Sequence, residues 1–115
     1  MPDRRIRAVV ALAPMAVVFT PESLAAVTVP VRVIVAEQDV VLNGKYHGGY
    51  VVASLPRAQA SSVAGAGHFA FMAQATFPLP SAAGDASANP PGFDRVAFLP
   101  KLENQVAEFF ADQWR

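Results

Sequence analysis

Two segments decide the fold of this chain: VRVIVAEQD (residues 31–39) and SVAGAGHFAFM (residues 62–72). Each begins with an apolar run that is typical of a short buried strand, and each continues into a turn that ends on an ionisable side chain. The first turn ends at Asp39, and the second, after a Gly-Ala-Gly sequence, ends at His68. An acid after one strand and a histidine after the next can polarise an imidazole. The pair therefore suits a general base that activates a hydroxyl group or a water molecule.

The neighbouring segments predict the rest of a parallel sheet. Residues 8–12 (AVVAL) and 31–36 are continuous apolar runs, as expected for strands that are buried on both faces. Residues 59–63 predict a third strand. Residues 45–55 have aromatic and aliphatic side chains near helical spacing and predict a crossover helix. Its two glycines predict that it is either locally weak or closely packed. This strand–helix–strand order predicts a βαβ unit with a right-handed crossover.

Three further helices are predicted from their start signals and apolar spacing. Thr20 can cap a short helix over residues 21–26, with proline in the first helical position. A brief apolar helix is expected over residues 69–75. Asp94 can cap a final helix that carries an apolar stripe at helical period. Pro100 interrupts that stripe, so this helix is either kinked there or begins there.

The chain is predicted to form a single α/β domain over residues 1–115, with about three parallel strands, crossover helices and a C-terminal helix. Residues 76–93 are rich in proline, alanine and serine and predict a long irregular loop. A loop of this length in a compact domain is functional, mobile, or a sign that a part is missing. Hydrophobic residues make up 53% and charged residues only 16% of the chain, against about 25% charged residues in typical domains. Apolar surface, and a partner that covers it, are therefore expected.

Composition argues against several functional classes. Nine basic residues balance nine acidic ones without a basic patch, so nucleic-acid binding is not expected. The sequence has no cysteine and only two histidines, so we expect neither a metal site nor another cofactor. The longest apolar run near the start, residues 8–19, contains Pro14 and is too short to cross a bilayer. It also lacks the cleavage signal of a secretory leader, so we expect a cytoplasmic chain.

PVRVIVAEQD (residues 30–39) and LPRAQASSVAGAGHFAFM (residues 55–72) resemble the C-terminal part of α/β-hydrolases, in particular the esterase and dienelactone-hydrolase-like branch. In that family the triad follows the chain order nucleophile, acid, histidine. The acid follows the seventh strand and the histidine the eighth, so the resemblance implies that Asp39 is the acid and His68 the base. The alternative is that Asp39 caps the next helix and that His68 is a core histidine. The strand–turn context favours a pair derived from a triad.

The resemblance extends to both ends of the chain. Residues 5–14 resemble the sixth strand of the family, and residues 90–110 resemble its last loop and closing helix. The likeness thus covers nearly all of this chain, but only about the last third of the family's catalytic domain. The family's nucleophile lies in G-x-S-x-G on a strand-to-helix turn. No serine of this chain has glycine two residues away on both sides; the serines are Ser23, Ser54, Ser61, Ser62, Ser81 and Ser87.

The resemblance therefore implies a carboxylic-ester or lactone hydrolase-derived module with the acid and histidine of a triad but no nucleophile, inactive alone. Its ligand would be a small ester or lactone, and a full-length relative could be exported. Its partner would be a second copy or a complementing N-terminal hydrolase segment, because strand 8–12 would expose an apolar edge. Two other functions stay open: a non-catalytic interaction or oligomerisation module, and a weak hydrolase in which Asp39 and His68 activate water across a dimer cleft.

Three smaller features have competing interpretations. The resemblance implies an acyl-side pocket that Met15 and Phe19 could line, but an ordinary core position is favoured for both. His47 falls on the predicted crossover helix and is interpreted as a solvated helix residue. The Gly-Ala-Gly sequence before His68 is too short for a nucleotide-binding loop and is interpreted as a tight turn that aims the histidine.

Overall fold

A three-stranded parallel sheet forms the centre of the computed structural model, which describes residues 3–115. Its strands are β1 (Val9–Leu12), β2 (Val31–Ala36) and β3 (Ala58–Val63), and they lie side by side in that order. β2 is central and pairs in parallel with both neighbours. The predicted α/β class and the parallel sheet are confirmed, with strand ends within one residue of the expected positions.

β2 is buried on both faces, which explains its continuous apolar sequence. Val31 and Val33 face one side, where they pack in a cluster with Leu24 and Val51 from the helices on that side. Ile34 and Ala36 alternate with them and are buried on the opposite face.

Two short helices cover the first face of the sheet: α1 (Pro21–Ala25) and α2 (Gly48–Ser54). The side chains of Thr20 and Ser23 each accept the other's backbone N–H, so the predicted cap of α1 is present. The prediction of α2 over residues 45–55 is wrong at its start, because residues 44–47 form a turn instead.

Gly48 explains where α2 packs. A Cβ atom on Gly48 would overlap with the side chain of Val35, so only glycine lets the first turn of α2 lie this close to β2. Gly48, which lowers the intrinsic helix propensity of this segment, therefore allows close packing, the second of the two expected outcomes.

α3 (Arg95–Gln113) is the longest helix. The Asp94 side chain accepts the N–H of Ala97 at 2.9 Å and caps it as predicted. The helix begins before Pro100 and runs through it, so a start at Pro100 is wrong. Proline lacks the N–H that would bind the carbonyl of Val96, but Val96 is exposed, so water can reach that region of the helix.

The segment between β3 and α3 contains little regular structure. The predicted helix over residues 69–75 is wrong in extent, since only a 3₁₀ turn, His68–Phe71, is present. Residues 76–93 form a loop, as predicted, that contains a small antiparallel hairpin of β4 (Pro80–Ser81) and β5 (Gly84–Asp85).

Asp85 organises that hairpin. Its Oδ1 accepts hydrogen bonds from the Ser87 hydroxyl at 2.6 Å, the Ser87 N–H at 2.8 Å and the Leu79 N–H at 2.9 Å. The Ser87 hydroxyl first, and then the two N–H groups, lower the pKa of the Asp85 carboxyl below its ordinary value.

Across residues 3–115, none of the helices combines the length and the apolar character needed to cross a membrane.

Candidate active site

Asp39 lies in the turn that follows β2, at the carboxyl end of the sheet. Its Oδ1 accepts hydrogen bonds from the backbone N–H groups of Val41 at 2.9 Å and Leu42 at 2.7 Å. Only 6% of the side chain is exposed. The local turn thus fixes the carboxylate through one oxygen and leaves the other oxygen free to bind a group from the next turn.

His68 follows β3 after a tight turn that contains two glycines. Gly65 has φ +70°, a left-handed conformation that side chains rarely adopt, so glycine is needed there. Ala66 is completely buried, and His68 then begins the 3₁₀ turn. The expected role of this turn, to aim the histidine, agrees with its conformation.

Three hydrogen bonds join the turn after β2 to the turn after β3. Glu37 N–H binds the carbonyl of Val63 at 3.1 Å, and Gln38 N–H binds the carbonyl of Ala66 at 2.9 Å. The Glu37 carboxylate accepts the N–H of Gly65 at 2.8 Å. Pairing between the strands therefore continues beyond their ends and fixes the two turns relative to each other. The role of Glu37 was not foreseen, because its partner is a backbone group 28 residues away.

Asp39 and His68 form a direct hydrogen bond, with 2.8 Å between Oδ2 and Nδ1. A carboxylate can only accept, so Nδ1 is the donor, and in the neutral imidazole Nε2 then presents its lone pair. The His68 side chain is 23% exposed, and Nε2 forms no hydrogen bond with another of residues 3–115. Nε2 is not a buried unpaired atom, so it reaches solvent. The geometry is that of an imidazole held in one tautomer with its basic nitrogen available.

A small apolar cluster packs around the turn that carries the histidine. Ala36, Ala66 and Ala70 are buried, and aromatic rings pack against them, two of which are Phe71 and Phe98 at 6.0 Å between centroids. Phe69 lies beside the imidazole, 5.2 Å away in an edge-to-face arrangement. These contacts restrict the orientation of the turn that carries the histidine.

One side of the pair, which we call the loop side, is formed by residues 76–93. A Cβ atom on Gly67 would lie 3.1 Å from Pro90 Cγ, so this proline packs directly on the residue before His68. Gly84 approaches the ring of Phe69, the residue after His68, with 3.9 Å from a Cβ position to Cε2. The loop thus contacts the histidine turn at both flanking residues.

The other side, which we call the open side, is formed by β1 and residues 13–20. Met15 and Phe19 are 52% and 46% exposed, so the expectation that both are core residues is wrong. Val17 and Val18 are more exposed still, at 73% and 70%. An apolar segment therefore faces solvent beside the carboxyl end of the sheet.

His47 differs from the prediction. It lies in the turn before α2, is half-buried, and accepts the backbone N–H of Ala16 through Nδ1 at 3.2 Å. The interpretation as a solvated helix residue is therefore wrong, because the helix begins later than expected. A cavity of about 10 Å³ separates His47 from Asp39 and is too small for an organic ligand.

No cluster of three or more histidine, aspartate or glutamate side chains suited to a metal ion occurs among residues 3–115. No family model, curated protein or solved structure matches this chain.

Proposed function

We propose that this chain is an α/β-hydrolase-like module that supplies the acid, Asp39, and the base, His68, of a Ser-Asp-His triad for ester or lactone cleavage. The observation that supports the proposal most is the 2.8 Å contact between Asp39 Oδ2 and His68 Nδ1 at the tips of neighbouring parallel strands. Ligands of open α/β sheets bind at this edge. The resemblance of residues 30–39 and 55–72 to the esterase branch supports the same assignment.

The chemistry follows from the tautomer. A hydroxyl group placed at His68 Nε2 would transfer its proton to the imidazole while its oxygen attacks the substrate carbonyl carbon. The imidazolium would return that proton to the departing alkoxide, leaving an acylated hydroxyl. Water would then lose a proton to the same nitrogen and attack the acyl carbon. The imidazolium would return that proton to the hydroxyl oxygen as the acid leaves. Asp39 would hold the ring in the reactive tautomer throughout and offset the positive charge it acquires.

The attacking hydroxyl is proposed to come from outside these 115 residues, because none of the serines has the G-x-S-x-G context. The open side is the proposed docking position for the segment or second chain that supplies it. Val9 and Ala13 direct their N–H groups to β2, so the alternating residues Val10 and Leu12 direct theirs away from the sheet. A strand with apolar side chains could add there.

A fluorophosphonate probe, which phosphonylates activated serines with loss of fluoride, tests this proposal. The chain alone should remain unlabelled. The coding sequence upstream should specify G-x-S-x-G, and the chain joined to that segment should be labelled at its serine. Labelling should be lost in Asp39→Asn and in His68→Ala, and should be retained in the control His47→Asn, in which an amide oxygen can still accept the Ala16 N–H.

Two results would contradict the proposal. One is stoichiometric labelling of a serine in the chain alone. The other is a joined chain in which the His68→Ala variant is labelled by the probe as fast as the wild type, since His68 would then not activate the serine.

A non-catalytic interaction module is the second candidate. It is favoured by the exposed apolar side chains of Met15, Val17, Val18 and Phe19. In that case the chain would form a homo-oligomer through its open side. His68→Ala would leave assembly unchanged and no ester cleavage would appear with any upstream segment. A hydrolase that activates water directly across a dimer cleft would instead cleave an activated ester alone and lose that turnover in His68→Ala.

A further inference from the structure

Arg95, the first residue of α3, is the largest fully buried side chain among the described residues, and the chemistry above does not use it. Its guanidinium donates hydrogen bonds to the carbonyl of Ala86 at 2.8 Å, the carbonyl of Ala88 at 2.7 Å and Asn89 Oδ1 at 2.7 Å. No carboxylate among residues 3–115 forms an ion pair with it. Burial lowers its pKa below the ordinary arginine value.

The three acceptors lie between the two points where the loop touches the histidine turn. Gly84 approaches Phe69 just before the bound stretch, and Pro90 packs on Gly67 just after it. A side chain that fixes residues 86–89 therefore fixes both contacts. These contacts bracket His68 on its N-terminal and C-terminal sides.

The Arg95 bonds belong to a larger polar network. Asn89 Nδ2 donates to Gln74 Oε1 at 2.9 Å, and Gln74 Nε2 donates to the carbonyl of Ser87 at 2.8 Å. Gln74 follows the histidine turn directly along the chain. The network thus joins three segments: the residues after His68, the loop, and the start of α3. Every buried side-chain polar atom of the described residues is paired, so the arrangement is fully satisfied.

We propose that Arg95 is a positioning residue for His68. By holding residues 86–89, it keeps Pro90 on Gly67 and Gly84 against Phe69, and so holds the imidazole on Asp39. The inference deepens the proposed function and rests on it, because the orientation of His68 matters only if that ring acts as a base.

Arginine suits this position for geometric reasons. Its planar guanidinium presents several N–H groups in fixed, diverging directions, which match two carbonyls and an amide oxygen at once. Lysine would keep the charge but can place only one nitrogen among the three acceptors. Arg95→Lys therefore removes the geometry while retaining the cation.

Proton NMR of the full chain tests the proposal through the His68 Nδ1–H signal, which a carboxylate partner shifts far downfield and protects from exchange. In Arg95→Lys we expect this proton to exchange with water about tenfold faster or more. Arg57→Lys is the matched control, because Arg57 is exposed in the turn just before β3, and it should leave the exchange rate unchanged.

Pro90→Ala gives a second test that leaves Arg95 intact. It removes the contact on Gly67 and should also accelerate exchange. Pro91→Ala changes the neighbouring, exposed proline, has the same effect on the unfolded chain, and should behave as the wild type. If Arg95→Lys does not fold, this pair of variants decides the outcome.

Each result has a defined meaning. Unchanged exchange in folded Arg95→Lys, or equal behaviour of Pro90→Ala and Pro91→Ala, would overturn the positioning role while leaving the Asp39–His68 pair in place. A wild-type chain without the downfield signal would overturn both the positioning role and the proposed function. Faster exchange in Arg95→Lys, in a chain whose upstream segment gives no labelled serine, would support the positioning role and reject the hydrolase function.

Discussion

On the loop side of the Asp39–His68 pair, residues 76–93 lie against the histidine turn and a buried arginine binds them through three hydrogen bonds. On the open side, none of residues 3–115 pairs with the outer edge of β1, and the segment after it exposes Val17 and Val18 by 70% or more. Polar groups are satisfied within the chain on the first side, whereas apolar groups face solvent on the second. This difference is the one expected if the chain completes one wall of the site by itself and the proposed partner supplies the other.

The largest effect is expected when the Arg95 guanidinium is removed from the loop side. Arg95→Met removes three hydrogen bonds, to the carbonyls of Ala86 and Ala88 and to Asn89 Oδ1. At about 1 kcal/mol for each bond, this should lower the free energy of unfolding by about 3 kcal/mol. Urea denaturation followed by circular dichroism measures this. Arg57→Met, at an exposed position, should change it by less than about 0.5 kcal/mol. Equal losses in the two variants would show that the loop side is not held by Arg95.

The second largest effect is expected at the pair itself. Asp39→Asn retains an oxygen for the N–H groups of Val41 and Leu42 but loses the charged hydrogen bond to His68, which should cost about 2 kcal/mol in urea denaturation. The amide would also donate to Nδ1 and force the other tautomer, with the proton on Nε2. A retained downfield Nδ1–H signal in this variant would contradict the assigned tautomer.

The open side is tested by assembly. Val10 and Gln59 pair with the same residue of β2, Arg32, from opposite edges of the sheet. Val10→Lys should weaken self-association at least about tenfold, which is about 1.4 kcal/mol. Gln59→Lys places the same charge beside Arg32 on the other edge and should have no effect.

Size exclusion with light scattering over a range of concentrations measures this assembly. A wild-type chain that remains a monomer at high concentration would show that a second copy does not occupy the open side. The complementing segment would then be the remaining candidate.

The smallest effect concerns Asp85 in the loop. Because its folded-state pKa is lowered, the carboxylate stabilises the folded chain at pH values above the ordinary value of 3.8. That contribution is lost as the pH falls below 3.8 through the lowered folded-state pKa. Thermal melts should show a weaker dependence on pH below 3.8 in Asp85→Asn than in the wild type. Ser87→Ala, which removes the first of the stabilising donors, should lie between them.

How far the sequence predicts this site depends on whether an interaction follows from local spacing or strand direction, or from backbone groups of distant segments. The caps at Thr20 and Asp94 were predictable because donor and acceptor lie within three residues. The Asp39–His68 contact spans 29 residues but was predictable, because the parallel strands bring their carboxyl ends together. The burial of Arg95 was not predictable, because a basic residue in the first turn of a helix usually faces solvent. Its backbone carbonyl acceptors also have no signature in the sequence.

His47 shows the same limit at shorter range. Its assignment failed because the start of α2 is determined by how closely Gly48 packs on Val35, and not by the helix propensity of the segment.

The sequence by itself determined the order of strands and helices, the parallel sheet, and the meeting of an acid with a histidine at its edge. These follow from hydrophobic period, local capping and the directionality of parallel strands. Only the tertiary structure decided which tautomer His68 adopts, which side chain holds the long loop beside it, and which edge of the sheet stays open. Those features depend on hydrogen bonds to backbone groups and on packing between distant segments, neither of which has a signature in residue type or spacing.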